Sequence, residues 1–241
     1  MYADGNSTPA SQIGRRRSFG ALRSAILYLR GGVRTDGTGG DDEWDIAGSE
    51  WRRISHWAAA EGLTLPASSA PERPGGREHD VRFDPESNRW LKFTKPCCAG
   101  YTVHLLELEL TMLPATPLEY LERWNTHNRI FGDTVELMGF QDTNQGPRLV
   151  ISQPHVPGEP ASWDELEETF VSKSRMKKLS IPKLLGGYDS RAYFKGRIGI
   201  FDVRPLNCFR HAVTHEVAAI DVIPRMFTRA EANQLEKMTL S

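Results

Sequence analysis

The stretch 199-GIFDVRPLNCFR-210 places a carboxylate, Asp202, five positions ahead of an amide, Asn207, with an Arg-Pro corner between them. Residues 198–203, "IGIFDV", have the branched and aromatic makeup of a buried strand, and Arg204-Pro205 ends it because proline brings no N–H to a sheet. A loop that leaves a strand and offers an acid and an amide at this spacing has the makeup of a catalytic loop, and equally that of a tight turn capped by Asp and Asn. What separates the two readings is what lies in order on either side. Fourteen residues on, Asp221 stands among the apolar residues of "VAAIDVI" (217–223), and a carboxylate there needs a cation, a donor cluster or a metal, because an unpaired buried charge is costly. Acids and an amide gathered at strand ends suit Mg²⁺, which takes oxygen ligands and completes its shell with water and phosphate.

Upstream, a lysine stands in a similar setting. "HDVRF" (79–83) and "RWLKF" (89–93) flank "DPESN", a turn rich in Asp, Pro, Ser and Asn, and so predict a hairpin with Lys92 in its second strand. Gly75-Gly76 precedes it. An ammonium in an apolar strand holds an anion, either a helix carboxylate or a phosphate. "TPLEYLERWNTHNRIF" (116–131) supplies the helix, with Thr116 as N-cap, Pro117 at the first position, apolar residues at 118, 121, 124 and 130, and Gly132 as the stop. Glu119 and Glu122 lie three residues apart on it and share a face.

The rest of the chain frames these parts. "SFGALRSAILYLR" (18–30) and "WDIAGSEWRRISHWAAAEGLTL" (44–65) predict two N-terminal helices, ending at Gly31-Gly32 and Gly62, with Trp44, Trp51 and Trp57 packing there. Residues 1–17 read as a solvated tail, "RTDGTGGDD" (34–42) as a linker, and "PASSAPERPGGRE" (66–78) as a break, which puts the start of the main domain near residue 72. "GYTVHLLELELTML" (100–113) predicts a strand or hairpin. "TVELMGF" (134–140) and "RLVISQPHV" (148–156) predict strands, "SWDELEETFVSKSRMKKL" (162–179) a helix with a Ser162/Glu165 capping box, and "HEVAAIDVI" (215–223) a strand.

Bulk properties exclude several classes of partner. The chain has 241 residues with 30 basic and 31 acidic, so no global charge recruits nucleic acid or an anionic membrane. Cys97, Cys98 and Cys208 form neither an even disulfide framework nor a C-x-x-C knuckle; His127 and His155 have no partner at zinc-site spacing, and His211 and His215, four apart, lie in what reads as a hairpin rather than a helix. The polar start lacks a signal peptide, and Phe19–Leu29 is too short to span a bilayer. A soluble, cytoplasmic protein is the expectation.

In order, the chain reads Gly-rich turn, strand lysine, helix glutamate, two strands, polar exit, helix, Asp-x-x-x-x-Asn, Asp. That order resembles the protein-kinase fold. "FDVRPLN" looks like the loop of aminoglycoside and choline phosphotransferases, and "AIDV" like their metal strand. "GGREHDVRF", "LKFT", "ATPLEYLERWNTHNRIFGD", "ISQPHVPGEP" and "IFDVRPLN" together resemble the kinase-like domain of phage and plasmid polyvalent proteins, over about residues 72 to 225. The resemblance implies an α+β, two-lobed kinase-like fold: an N-terminal tail and helical extension (1–71), an N-lobe (72–156) and a reduced C-lobe (157–241). It implies ATP and Mg²⁺ as cofactors, with phosphoryl transfer to a protein or small-molecule hydroxyl. Asp202 would be the catalytic Asp, Asn207 and Asp221 the metal ligands, Lys92 the phosphate contact, and Glu122 or Glu119 its ion-pair partner. Gly75, Gly76 and His79 would lie in the phosphate-covering turn, and the backbone of Pro154, His155 and Val156 would meet the adenine. The glycine turn departs from G-x-G-x-x-G, Ile200-Phe201 stands before the catalytic acid, and only twenty residues follow Asp221. These departures support the alternative of a pseudokinase, a nucleotide-binding or scaffolding module.

Overall fold

The computed structural model describes residues 10–32, 43–66, 69, 71–74, 76–107, 109–180 and 189–239, with side chains from 20 in the first helix and 46 in the second. Residues 1–9 of the tail, the whole 34–42 linker and Gly75 lie outside this set. Helices α1 (Ala10–Arg30) and α2 (Glu43–Ala60) come first, α1 starting ahead of the Ser18 that its apolar spacing predicts. Next are β1 (Arg73–Pro74), β2 (His79–Asp84), β3 (Arg89–Thr94), β4 (Tyr101–Leu106), β5 (Glu109–Pro114), α3 (Pro117–Phe131), β6 (Glu136–Thr143) and β7 (Gly146–Pro154). The remainder is β8 (Gly158–Pro160), α4 (Trp163–Glu167) with a π-helical turn Glu168–Lys173, β9 (Lys177–Lys178), β10 (Arg191–Lys195), β11 (Ile198–Val203), a 3₁₀ turn Pro205–Asn207, β12 (Cys208–His211), β13 (Val217–Ala219), β14 (Ile223–Met226) and α5 (Arg229–Leu235).

The architecture is mixed α+β, built on antiparallel sheets with no barrel. One sheet has the order β1-β2-β3-β7-β6, a second β14-β11-β10-β9 and a third β13-β12-β8, while β4 and β5 form a separate hairpin. The predicted β2–β3 hairpin forms, with Val81 facing Lys92, and Asp84 holds its turn by accepting from the Ser87 hydroxyl and the Glu86 N–H. The segment 215–223 is not one strand. β13 stops at Ala219, Ile220 and Asp221 form a bend, and β14 leaves in another sheet. The cause is the backbone of Asn207, whose carbonyl accepts from the Ile220 N–H at 2.8 Å and the Asp221 N–H at 3.3 Å, so neither can join a ladder. The helix predicted over 162–179 also ends early, at Lys173, and Lys177–Lys178 pair with β10 instead.

Three buried clusters hold the molecule together. The largest joins Leu22, Ile26 and Leu29 of α1 and Ile54 and Trp57 of α2 to Leu121 and Trp124 of α3 and Leu137, Leu149 and Ile151 of the first sheet. Elements on both sides of residue 72 therefore share one core. Trp51 adds to it by packing against Phe140 with ring centroids 6.4 Å apart. A second cluster lies under β8, α4 and β11–β13, and a third between the β4–β5 hairpin, β10–β11, β14 and α5. No helix among the described residues is long and apolar enough to cross a membrane, and all three cysteines are free.

Candidate active site

A cleft of about 320 Å³ opens between the first sheet and the loops around β12 and β13. Val81, Trp90 and Lys92 line it from the sheet, Gln153–Val156 close one end, and Leu206, Phe209, Ile220 and Asp221 face them. Lys92 reaches across: its Nζ donates to the Ile220 carbonyl at 3.0 Å, lies 3.4 Å from Asp221 Oδ1, and sits 5.0 Å above the Trp124 ring. Burial alone would raise the Asp221 pKa, but the cations around it, Lys92 foremost, hold it well below the usual carboxylate range.

Asp202, one residue before the end of β11, has a left-handed backbone, φ 53°. Asn207 fixes it there, its Nδ2 donating to the Asp202 carbonyl and to Oδ2, each at 2.8 Å, while Arg204 stands 3.4 Å from Oδ1. Burial pushes the Asp202 carboxyl up to about 6, against the opposing pull of Arg204 and Asn207. Asn207 thus ties Asp202 with its side chain and Asp221 with its backbone. Residues spread over 130 positions of sequence, Lys92 to Asp221, are brought to one region.

Other expected residues fall elsewhere. Glu122 is half-exposed and bonds Arg30 of α1 at 2.8 Å. Glu119 closes the capping box of α3 by accepting from the Thr116 N–H, and lies 3.2 Å from His104. Neither meets Lys92. The reason is helical phase: the stripe of α3 turned to the site and the core carries Tyr120, Arg123, Trp124 and His127, spaced three and four apart, and the two glutamates lie beside it. His79 is turned into the core. It is buried at the start of β2, with Nε2 2.9 Å from the Tyr120 hydroxyl, and burial drives its pKa down to about 3, so it is neutral. Gly76 has φ 107° in the turn between β1 and β2. Pro154, His155 and Val156 do line the cleft.

Two ionised residues of the site escaped the sequence reading. Arg123, 4 % exposed, bonds both carboxylate oxygens of Glu78 through Nη1 at 2.8 Å and stands 3.6 Å from Asp221 Oδ1. Glu78 also accepts from the Tyr101 N–H at 3.0 Å; burial raises its pKa and Arg123 opposes the rise. The signal was an arginine inside the apolar stripe of α3, one residue before Trp124. Glu78, His79 and Asp221 bring three ligand atoms within 4.8 Å of one another, but Arg123 pairs with both acids and Lys92 with Asp221, so this trio belongs to an ion-pair network. Asp221 and Asn207 fit a hard divalent cation better. Lys92 and Arg123 both approach Oδ1 of Asp221 and leave Oδ2, and Asn207 spends its amide N–H₂ on Asp202, leaving an amide oxygen. No protein-family model, no curated protein and no solved structure matches the chain.

Proposed function

We propose that the cleft binds a nucleoside triphosphate and transfers its terminal phosphoryl group to a hydroxyl, on a protein or a small molecule, within a two-lobed kinase-like fold. The observation that carries the reading is the convergence just described: Asp202 and Asn207 locked together, Asn207 tied to the Asp221 bend, and Lys92 reaching that bend from the opposite wall. The sheet order β1-β2-β3-β7-β6 with α3 packed behind it supports the same fold.

In this reading Asp202 accepts the proton of the acceptor hydroxyl as its oxygen attacks the terminal phosphorus and the bridging P–O bond on the far side breaks. Its pKa near 6 leaves it ionised at neutral pH yet close to the pH at which it must take a proton. Lys92 exchanges Asp221 for phosphate oxygens and neutralises their charge. Asp221 and Asn207 would hold Mg²⁺, which supplies charge neutralisation on the phosphates. Asn207 also keeps the Asp202 carboxylate oriented.

The rival reading, a pseudokinase, draws on α3, which presents Arg123 to the site where an acid was expected. Calorimetric titration with ATP, with and without Mg²⁺, beside a turnover assay decides between them. Catalysis predicts Mg²⁺-dependent binding that Asp221→Asn weakens, and turnover that Asp202→Asn abolishes while binding persists. Binding without turnover in the wild type supports the pseudokinase. Absence of nucleotide binding in the wild type would overturn catalysis and leave only the scaffolding form of the rival.

A further inference from the structure

Two residues along β3 from Lys92, on the same face and so about 7 Å away, Trp90 makes the sheet wall of the cleft aromatic. Its indole N–H donates to His155 Nδ1 at 3.1 Å. Phe83 braces both rings, with centroids 5.0 Å from Trp90 and 5.5 Å from His155, and the Arg73 guanidinium covers Trp90 at 4.9 Å. Across the cleft stand Leu206, 66 % exposed, and Phe209. An apolar slot with an aromatic wall, open to water, has the shape and chemistry that a flat heterocycle fills.

The hydrogen bond also fixes the chemistry of the imidazole. An indole N–H only donates, so Nδ1 accepts, and a neutral His155 then carries its proton on Nε2. His155 is a donor held in one orientation. Two of the three neighbouring backbone positions cannot take that role: Pro154 has no N–H, and the His155 N–H is donated to the Asn88 carbonyl at 3.1 Å.

We propose that Trp90 and His155 select a purine base, Trp90 by stacking and His155 by donating from Nε2 to a ring nitrogen acceptor. This rests on the nucleotide reading of the cleft. It goes beyond that reading by assigning recognition of the base to two side chains, where the resemblance implies the backbone of residues 154–156. Two fused rings cover more of an indole than one, which is the source of the purine preference.

The test is calorimetry with three probes, ATP, UTP and inorganic tripolyphosphate, on the wild type and on Trp90→Ala, Trp90→Phe and His155→Phe. The wild type should bind ATP roughly tenfold tighter than UTP. Trp90→Ala should lose roughly ten- to a hundredfold in ATP affinity, the usual range for a lost base–aromatic stack, and bring ATP to the level of UTP. Trp90→Phe should keep most of the preference, and His155→Phe, which keeps a ring and loses both nitrogens, should weaken ATP about tenfold. Tripolyphosphate should bind all four proteins alike, which reports an intact phosphate end. Equal affinity of the wild type for ATP and UTP, or unchanged ATP affinity in Trp90→Ala and His155→Phe, would overturn the proposal. Equal binding of ATP and tripolyphosphate would remove base recognition and leave an anion cleft standing. Failure of every probe would instead remove the nucleotide reading, and this inference with it. Should Trp90→Ala lose tripolyphosphate too, its fold is damaged and the two conservative variants decide.

Discussion

Asp202 carries a proton at a higher pH than a free carboxyl does, and that has a sign for both rate and stability. Its ionised form is the one that accepts a proton, so turnover should fall as pH drops through about 6, read from a pH–rate profile. For stability, the native state binds more protons than the unfolded chain between about pH 4 and 6, so stability falls as pH rises through that window. Asp202→Asn keeps an oxygen for Asn207 and removes the buried charge. It should therefore unfold at higher urea than the wild type at pH 7, with the two curves converging below about pH 4. Arg123 is the opposite case. Arg123→Met leaves Glu78 buried beside Asp221 with no guanidinium, and should cost about 3–5 kcal/mol in urea denaturation, while Arg123→Lys should recover part of the loss. Lys92, Asp202, Asn207 and Asp221 were legible in sequence because each is a polar residue inside or beside an apolar run, where burial demands a partner. Glu78 and Arg123 pair across 45 positions, and nothing local to either names the other.

The elements were legible where their ends carry chemistry. Thr116 and Pro117 start α3 as predicted, and Glu119 turns out to be the third member of that start. Thr116→Ala should cost about 1 kcal/mol by removing the acceptor for the Glu119 N–H, measured by thermal or urea unfolding. The helix start is doubly secured, because Glu50 of α2 accepts from the Leu118 N–H at 2.8 Å. Elements were misread where their limits are set from a distance. The bend at Ile220–Asp221 comes from the Asn207 carbonyl, and a strand-like string of Val, Ala and Ile gives no hint of it. Gly139 is similar. The segment before β1 runs so close, with the Phe140 N–H donating to the Leu63 carbonyl at 2.9 Å, that a Cβ at Gly139 would strike that carbonyl. Gly139→Ala should displace residues 63–65 and lower stability by about 1–3 kcal/mol, seen as a lower urea midpoint.

At the scale of the whole molecule, the first two helices complete the core of the first sheet. The Pro-, Ser- and Gly-rich run 66–76 marks a chain break, and composition shows such a break clearly. It does not show that the apolar stripe of Leu22, Ile26 and Leu29 lies on α3 and β6, because an amphipathic helix announces a buried face without naming its cover. Removal of residues 1–65 should expose Leu121, Leu137 and Phe140, and the shortened protein should bind a hydrophobic dye and self-associate in sedimentation. A soluble, cooperatively unfolding 66–241 fragment would contradict the shared core.

That shared core imposes a schedule on synthesis. α1 leaves the ribosome well before α3 and β6, and the surfaces that cover Leu22, Ile26 and Leu29 include Leu121 and Leu137, made roughly 100 residues later. At about 5–20 residues per second this is on the order of 5–20 s in which a helix with an uncovered greasy stripe must wait, within reach of chaperones and of other nascent chains. Slower elongation lengthens that wait, so yield of folded protein should depend more on the pace of translation through residues 66–140 than on codons downstream.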